Sequence, residues 1–322
     1  MRYQSLPRTD LVPAVLCLGS AEMGAAIDPA TSFDLLDRYF ASGGNFIDTA
    51  KVYNDWVPGE ASRSEKLIGA WMRARGNRQK IILATKGAHP DLARMDIQRL
   101  SPREIVADLE ASLRHLQTDV IDLYWLHRDD PNRPVEDILE TLEAQVRAGA
   151  IRYYGCSNWR ASRIQAAQVY AARRGFSGFV AVQNLWNLAC INPDGIGDPT
   201  LVVMDDALWK YQRDTQLAAV PFTSQANGLF QKMEMGRPDA LPANLQAMYL
   251  NPVTEARLMR LQSLRPRAGL STTQIVLGYL TSQPFPTFPV IGPRTTAQLD
   301  DCLSAGDVAL TPEQVSFLAA GE

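Results

Sequence analysis

The chain lacks most of the features that would classify it at a glance. Its 322 residues include four cysteines, Cys17, Cys156, Cys190 and Cys302, with no CxxC spacing, so neither a disulfide framework nor a zinc site is expected. The three histidines, His89, His115 and His127, form no HxH or HExxH pair, and no metal is expected. No apolar run approaches the roughly 18 residues that span a bilayer. The opening stretch MRYQSLPRTDLVPAVLCLG is interrupted by Arg, Asp and Pro before a signal-peptide core can form. A formal net charge of −3 offers no electrostatic footing for nucleic acid or an anionic membrane. These absences point to a cytoplasmic protein acting on a small molecule.

What is present is an ordinary globular mixture, 46% hydrophobic and 21% charged, which suits one α/β domain over 1–322. Apolar, β-rich runs occur at 14–19, 45–50, 81–87, 120–127, 151–157, 178–184, 217–224 and 287–292. Between them lie amphipathic segments. In 101–116, Ile105, Leu109, Leu113 and Leu116 recur at helical spacing, with Ser101 as N-cap, Pro102 at N1 and Glu104 at N3. The segment 133–149 ends in a glycine suited to the position after a helix C-cap. Eight strands alternating with helices predict a (β/α)8 TIM barrel. The competing doubly wound open sheet would show GxGxxG after its first strand, where this chain has GSAEMG. Stretches 188–199 and 231–252, rich in Asn, Pro and Gly, read as elaborated loops at the carboxyl face.

In a barrel the carboxyl ends of the strands converge on one mouth. Here they carry Asp48, Lys86 and His127 in turn, with Tyr53 just beyond the second strand. A strand-end Asp alone is commonly a cap, Tyr53 alone a loop residue, Lys86 alone a solvated cation and His127 alone a structural histidine. Their occurrence at successive strand ends suggests a proton-donating phenol. A nearby ammonium lowers a tyrosine pKa from about 10 toward the working range. Asp48 would hold that lysine charged, and His127 would orient a substrate oxygen. No base-activated nucleophile accompanies them, so the expected event is protonation of an oxygen while hydride from a nicotinamide attacks carbon.

The motifs FIDTAKVY, SEKLIG, LATKG, IDLYWLH, IRYYGCSN, VQNLWN and PVIGPR occur in order over nearly the whole chain, and they resemble those of the aldo-keto reductase superfamily. The resemblance implies a barrel that binds NADP(H), with NAD(H) as the alternative, and an active NADP(H)-dependent reductase. It implies Tyr53 as general acid, assisted by Lys86 and Asp48, with His127 positioning the carbonyl. It places Ser157, Asn158 and Gln183 on the nicotinamide carboxamide and Phe222 against the nicotinamide ring. Thr223, Ser224 and Gln225 stand where the family has Ser-Pro-Leu on the pyrophosphate side. Arg294 takes the place of a 2′-phosphate ligand, while Gln298 and Asp301 lie toward the adenosine. Cys302 replaces a common Asn, which implies one adenine hydrogen bond fewer.

Met23, Trp56 and Trp125 are expected to line the substrate pocket. Polar groups next to Tyr53 favour a hydroxylated compound, so an aldehyde, ketone or aldose-like sugar is the expected substrate. Two other functions fit the same residues: a regulatory NADP(H)-binding module of the channel β-subunit type, and a lyase or isomerase using Lys86 as a Schiff base.

Overall fold

Each apolar run becomes a strand shorter than, or equal to, the run that announced it. The strands are β1 (Cys17–Gly19), β2 (Phe46–Asp48), β3 (Ile82–Gly87), β4 (Ile121–Leu126), β5 (Ile151–Ser157), β6 (Ala181–Gln183), β7 (Ala218–Ala219) and β8 (Val290–Ile291). The structure is a computed structural model and describes residues 1–321. All seven ladders are parallel, in the order β7-β6-β5-β4-β3-β2-β1-β8. A parallel bridge between Ala219 and Thr287 joins the two ends. Around it Phe288 N donates to Ala219 O (2.8 Å) and Val290 N to Pro221 O (2.9 Å), which closes the ring.

Helices α1 (Pro29–Ala41), α2 (Arg63–Arg75), α3 (Pro102–Leu116), α4 (Val135–Arg147), α5 (Ala161–Arg174) and α6 (Asp206–Thr215) follow the first six strands. After β7 come α7 (Leu229–Glu234), α8 (Ala243–Tyr249), α9 (Pro252–Ala268) and α10 (Thr272–Thr281), and after β8 come α11 (Thr296–Leu303) and α12 (Pro312–Ala320). Helix α3 begins as its sequence demands: Ser101 accepts from Glu104 N, and Glu104 reaches back to the Ser101 backbone. Beyond α4 the chain turns at Gly149, whose φ of +76° is available to glycine at little strain. The stretch 231–252, expected to be loop, is instead partly helical, because Met248 and Tyr249 of α8 and Leu229 and Phe230 of α7 pack into one apolar cluster with α9 and α10. Among the described residues no helix is long and apolar enough to cross a membrane.

The barrel interior is a packed core of Cys17, Phe46, Ala84, Leu123, Trp125, Ala181, Ala218, Val220 and Phe288. Leu6 and Leu11 of the N-terminal segment join it. That segment is pinned to the amino end of β2, where Ala14 N donates to Asn45 Oδ1 (2.7 Å). The strand starts are therefore stoppered, and the opposite face is left to carry polar groups. Register lifts Lys86 one inward step above Ala84, the partner of Asp48, and sets it beside Trp125.

Candidate active site

Lys86 is fully buried, and its ammonium meets three acceptors. Nζ forms a short ion pair with Asp48 Oδ2 and donates to Thr49 O (2.9 Å) and to Tyr53 Oη (2.9 Å). Asp48 is equally well answered, since its Oδ1 accepts from Gln183 Nε2 (3.0 Å), which reaches across the barrel from β6. A buried charge pair of this kind is tolerated only when geometry and extra hydrogen bonds offset desolvation, and both conditions hold here. Burial alone would lower the Lys86 pKa, but Asp48 and Tyr53 outweigh it, and the net direction is upward.

The phenol does not behave quite as its neighbours suggested. Burial, together with the Asp48 charge, raises the Tyr53 pKa more than the Lys86 charge and hydrogen bond and the Arg128 charge lower it, so it stands above the ordinary tyrosine value. The expected acidification is present as an opposing effect and is outweighed. A proton donor at neutral pH must be protonated, and Tyr53 is.

His127, just past β4, is buried with its Nδ1 unpartnered. Its ring lies 5.9 Å from that of Tyr53 and 4.7 Å from that of His89, both edge-on. Burial, then the Arg128 charge, then His89 and Lys86 hold its pKa well below the ordinary value, so the imidazole is neutral. His89, just past β3, thus adjoins the site. Burial and then Arg128 lower its pKa to about 4, and Nδ1 donates to Pro90 O (2.7 Å). His115 pairs Nδ1 with the fully buried Glu65 (2.9 Å), which also accepts from Thr85 Oγ1 (2.6 Å), so it is a strut between α3 and α2.

The residues expected on the carboxamide adjoin this group. Ser157 Oγ donates to Gln183 O (2.7 Å), and Asn158 Nδ2 donates to His127 O (3.2 Å) and Ser157 Oγ (3.1 Å). Asn158 Oδ1 accepts from Val202 N (3.1 Å) and keeps a second lone pair, while Gln183 Oε1 accepts none of these bonds. With the orphaned His127 Nδ1, these are acceptors and donors of the kind a carboxamide and a carbonyl would satisfy, so a nicotinamide fits here.

Phe222 is half-buried against the second cluster, and the turn after it takes left-handed backbone at Thr223, Ala226, Asn227 and Gly228. Ser224 Oγ donates to Val290 O (2.6 Å), and Gln225 Oε1 accepts from Cys302 Sγ (3.3 Å).

Arg294, Gln298 and Asp301 form a separate group. Arg294 N donates to Gln298 Oε1 (2.8 Å) at the start of α11, and Arg294 Nη2 pairs with Glu22 Oε1 (2.5 Å). Asp301 accepts a short bond from Thr273. A 2′-phosphate fits this end less well than a nicotinamide fits the other, because the guanidinium already faces a carboxylate.

Two of the residues expected in the pocket are buried in the packed interior. Trp125 is fully buried beside Lys86 and packs where a Gly155 side chain would be; a Cβ there would lie 2.4 Å from its ring. It is a core residue of the barrel. Met23 is buried among Ile27, Leu36 and Leu67, and what it offers its surroundings is its carbonyl, which accepts from Asn54 Nδ2 (2.8 Å). Trp56 stands 52% exposed, edge-on to Tyr53 at 6.2 Å. A cleft of about 280 Å³ opens beside Lys86, lined by Lys51, Asp55, His89, Leu92, Arg99 and Asp108 among others.

Sequence reasoning passed over Arg128. It is buried, directly follows His127 and bonds three ways. Its one visible signal was a charged residue adjoining a polar strand end in the run LHRDD.

A family model described as "Aldo/keto reductase family" matches residues 15–320. An "Uncharacterized oxidoreductase YrpG" of Bacillus subtilis is 32% identical over 99% of this chain and 95% of its own. An "Aryl-alcohol dehydrogenase [NADP(+)]" of Phanerodontia chrysosporium is 30% identical over 91% of this chain and 76% of its own. "Norsolorinic acid reductase stcV" of Emericella nidulans is 30% identical over 93% and 76%. Among solved structures, the thermostable aldo-keto reductase Tm1743 in complex with the inhibitor epalrestat superposes with a TM-score of 0.74 over the whole of both chains, at 21% identity.

Proposed function

Because the chain belongs to the aldo/keto reductase family, we propose that it is an NADP(H)-dependent oxidoreductase interconverting a carbonyl and an alcohol, working reductively, with Tyr53 as proton donor. The observation that carries this reading is the Tyr53 hydroxyl 2.9 Å from the Lys86 ammonium, which is itself locked to Asp48. A nicotinamide bound beside Ser157, Asn158 and Gln183 supplies hydride. Tyr53 gives its proton to the substrate oxygen, and the adjacent Lys86 charge stabilises the phenolate left behind. His127, neutral and with a free ring nitrogen, orients that oxygen and does not compete as an acid. Arg294, Gln298, Asp301 and the turn Thr223–Ser224–Gln225 would hold the adenosine and phosphate portions, with Phe222 against the nicotinamide.

Lys86 is a poor Schiff-base nucleophile, since its raised pKa keeps it charged and it already serves three acceptors. The rings of Tyr53, Trp56, His127 and His89 form a chain of edge contacts at the mouth. That surface suits a planar aromatic aldehyde or ketone better than the hydroxylated sugar favoured by the sequence, and the relative named an aryl-alcohol dehydrogenase accords with it. The test is a panel of aryl aldehydes, aliphatic ketones and aldoses followed by NADPH absorbance. Aryl aldehydes should turn over fastest, and Tyr53→Phe should slow the reaction at least about 100-fold; undiminished turnover by Tyr53→Phe would overturn the assignment.

A further inference from the structure

Arg128 occupies a position where an unneeded charge would be expensive. It is buried, its net pKa is lowered chiefly by that burial, and its guanidinium spends each arm on a different acceptor. Nη1 donates to His127 O (2.9 Å), Nε to Thr200 Oγ1 (2.6 Å) and Nη2 to Asp198 Oδ2 (2.9 Å). From Thr200 the chain runs two residues to Val202, whose N–H donates to Asn158 Oδ1 (3.1 Å). Asn158 Nδ2 then returns to His127 O (3.2 Å), the atom from which the circuit started. The ring therefore ties together the ends of β4 and β5 and the segment 198–202.

We propose that Arg128 is a positioning residue. By closing this ring it fixes His127 and Asn158 relative to each other, and so keeps the substrate oxygen in register with one face of the nicotinamide. The inference rests on the carbonyl-reductase reading above. Asn158 sits in left-handed backbone, with φ at +61°, which asparagine tolerates better than most residues, and its N–H, Nδ2 and Oδ1 are all bonded to neighbouring segments. Those bonds leave one lone pair of its Oδ1 to face a ligand. A clamp serving the loop alone would need only Asp198 and Thr200; the third arm, to the His127 carbonyl, joins the loop to the reacting side. Three acceptors, one each for Nε, Nη1 and Nη2, also explain an arginine here, since an ammonium has no such fork.

The experiment uses the full chain, the fastest aryl aldehyde and NADPH deuterated on one face of C4. Three variants are compared: Arg128→Met, Arg128→Lys, and the double change Asp198→Asn with Thr200→Val, which opens the ring on the half-buried loop. Deuterium in the alcohol product, kcat and KM separately, and the NADPH dissociation constant from tryptophan quenching are read together. Arg128→Met should lower kcat/KM on the order of 100-fold, as misplacement of reacting groups by about an ångström does. It should also let deuterium transfer lose its single-face fidelity and weaken NADPH binding. Arg128→Lys should behave alike, because it restores charge without the fork, and the double variant should show a smaller loss of the same kind. Full face fidelity and unchanged NADPH affinity in Arg128→Met would overturn the proposal, as would complete rescue by Arg128→Lys. If Arg128→Met fails to fold by circular dichroism, the double variant decides by the same two readouts. Wild-type turnover that ignores Tyr53→Phe would sink the parent reading instead, and the ring would then stand or fall on NADPH affinity.

Discussion

Lys86 and Asp48 are buried and answer each other within the barrel, whereas the charges of Arg294 and Glu22 stand in solvent. The Lys86–Asp48 pair is almost wholly screened from water, with Gln183 and Thr49 completing its hydrogen bonds. The Arg294–Glu22 pair joins side chains that are 64% and 37% exposed, on loops after β8 and β1. The first arrangement is set by strand register, which a single residue cannot drift from without moving a neighbour. The second depends on rotamers of two long side chains, and such pairs contribute about 0–1 kcal/mol. Chemistry should therefore be rigidly specified in this molecule and cofactor preference adjustable.

The largest expected effect tests the rigid end. Tyr53→Phe removes the donor and leaves the ion pair intact, and kcat should fall on the order of 10²–10⁴-fold with an unchanged circular dichroism spectrum. The pH profile carries the same information. A donor works below its pKa, and that of Tyr53 is raised, so the reductive plateau should extend upward past neutrality. His127 is lowered well below the ordinary histidine value, so no inflection should appear near about 6.5. An inflection there would mean that the mouth is wetter than its packing indicates.

Asp48→Asn comes next. It strands the Lys86 ammonium in the barrel, and breaking a buried pair from one side typically removes about 3–5 kcal/mol of stability. Urea denaturation should show that loss, while Arg294→Ala should shift the midpoint hardly at all. Equal losses at the two sites would break the contrast between the two ends.

A third prediction concerns His89, at the border of the two regimes. Its folded pKa of about 4 lies below the ordinary 6.5, so the unfolded chain binds a proton that the folded chain refuses. The folded state keeps its full stability above about pH 6.5 and loses it progressively as pH falls toward 4, by about 3 kcal/mol in all. His89→Asn should flatten that part of a melting-temperature profile measured from pH 7 to pH 4.5. A variant profile as steep as the wild type would place the acid sensitivity elsewhere.

The sequence disclosed the rigid end far better than the soft one, for physical reasons. All eight strands and the three strand-end groups Asp48, Lys86 and His127 were legible because apolar runs ending in a polar residue are a local signal. The capping box of α3 was legible in the same way. Trp125, expected at the pocket, is fully buried beside Lys86, where Gly155 makes room for its ring, and no local pattern distinguishes an inward residue packed in the barrel from one open to the mouth. Arg128 was missed because its meaning lies in partners 70 and 72 residues away, Asp198 and Thr200, which no local pattern joins. The Glu22–Arg294 pair, whose members are 272 positions apart in the chain, was invisible for the same reason.

That pair supplies the smallest expected effect and the most direct test of the soft end. Glu22 lies against the guanidinium expected to hold a 2′-phosphate, and the Asp301 carboxylate lies farther along α11. A dianionic phosphate must therefore displace or share a carboxylate, whereas the 2′-hydroxyl of NAD(H) meets no such competitor. Glu22→Gln removes the competing charge and leaves Arg294 in place, so NADPH should bind several-fold tighter with NADH unchanged, in keeping with about 1 kcal/mol for an exposed pair. Calorimetric titration at low and high salt measures both. The gain should shrink as salt rises, because charges this exposed are screened within about 10 Å at 0.1 M. A gain that persists in high salt would mean that the Arg294 end is more enclosed than its exposure indicates, and the contrast with Lys86 would narrow accordingly.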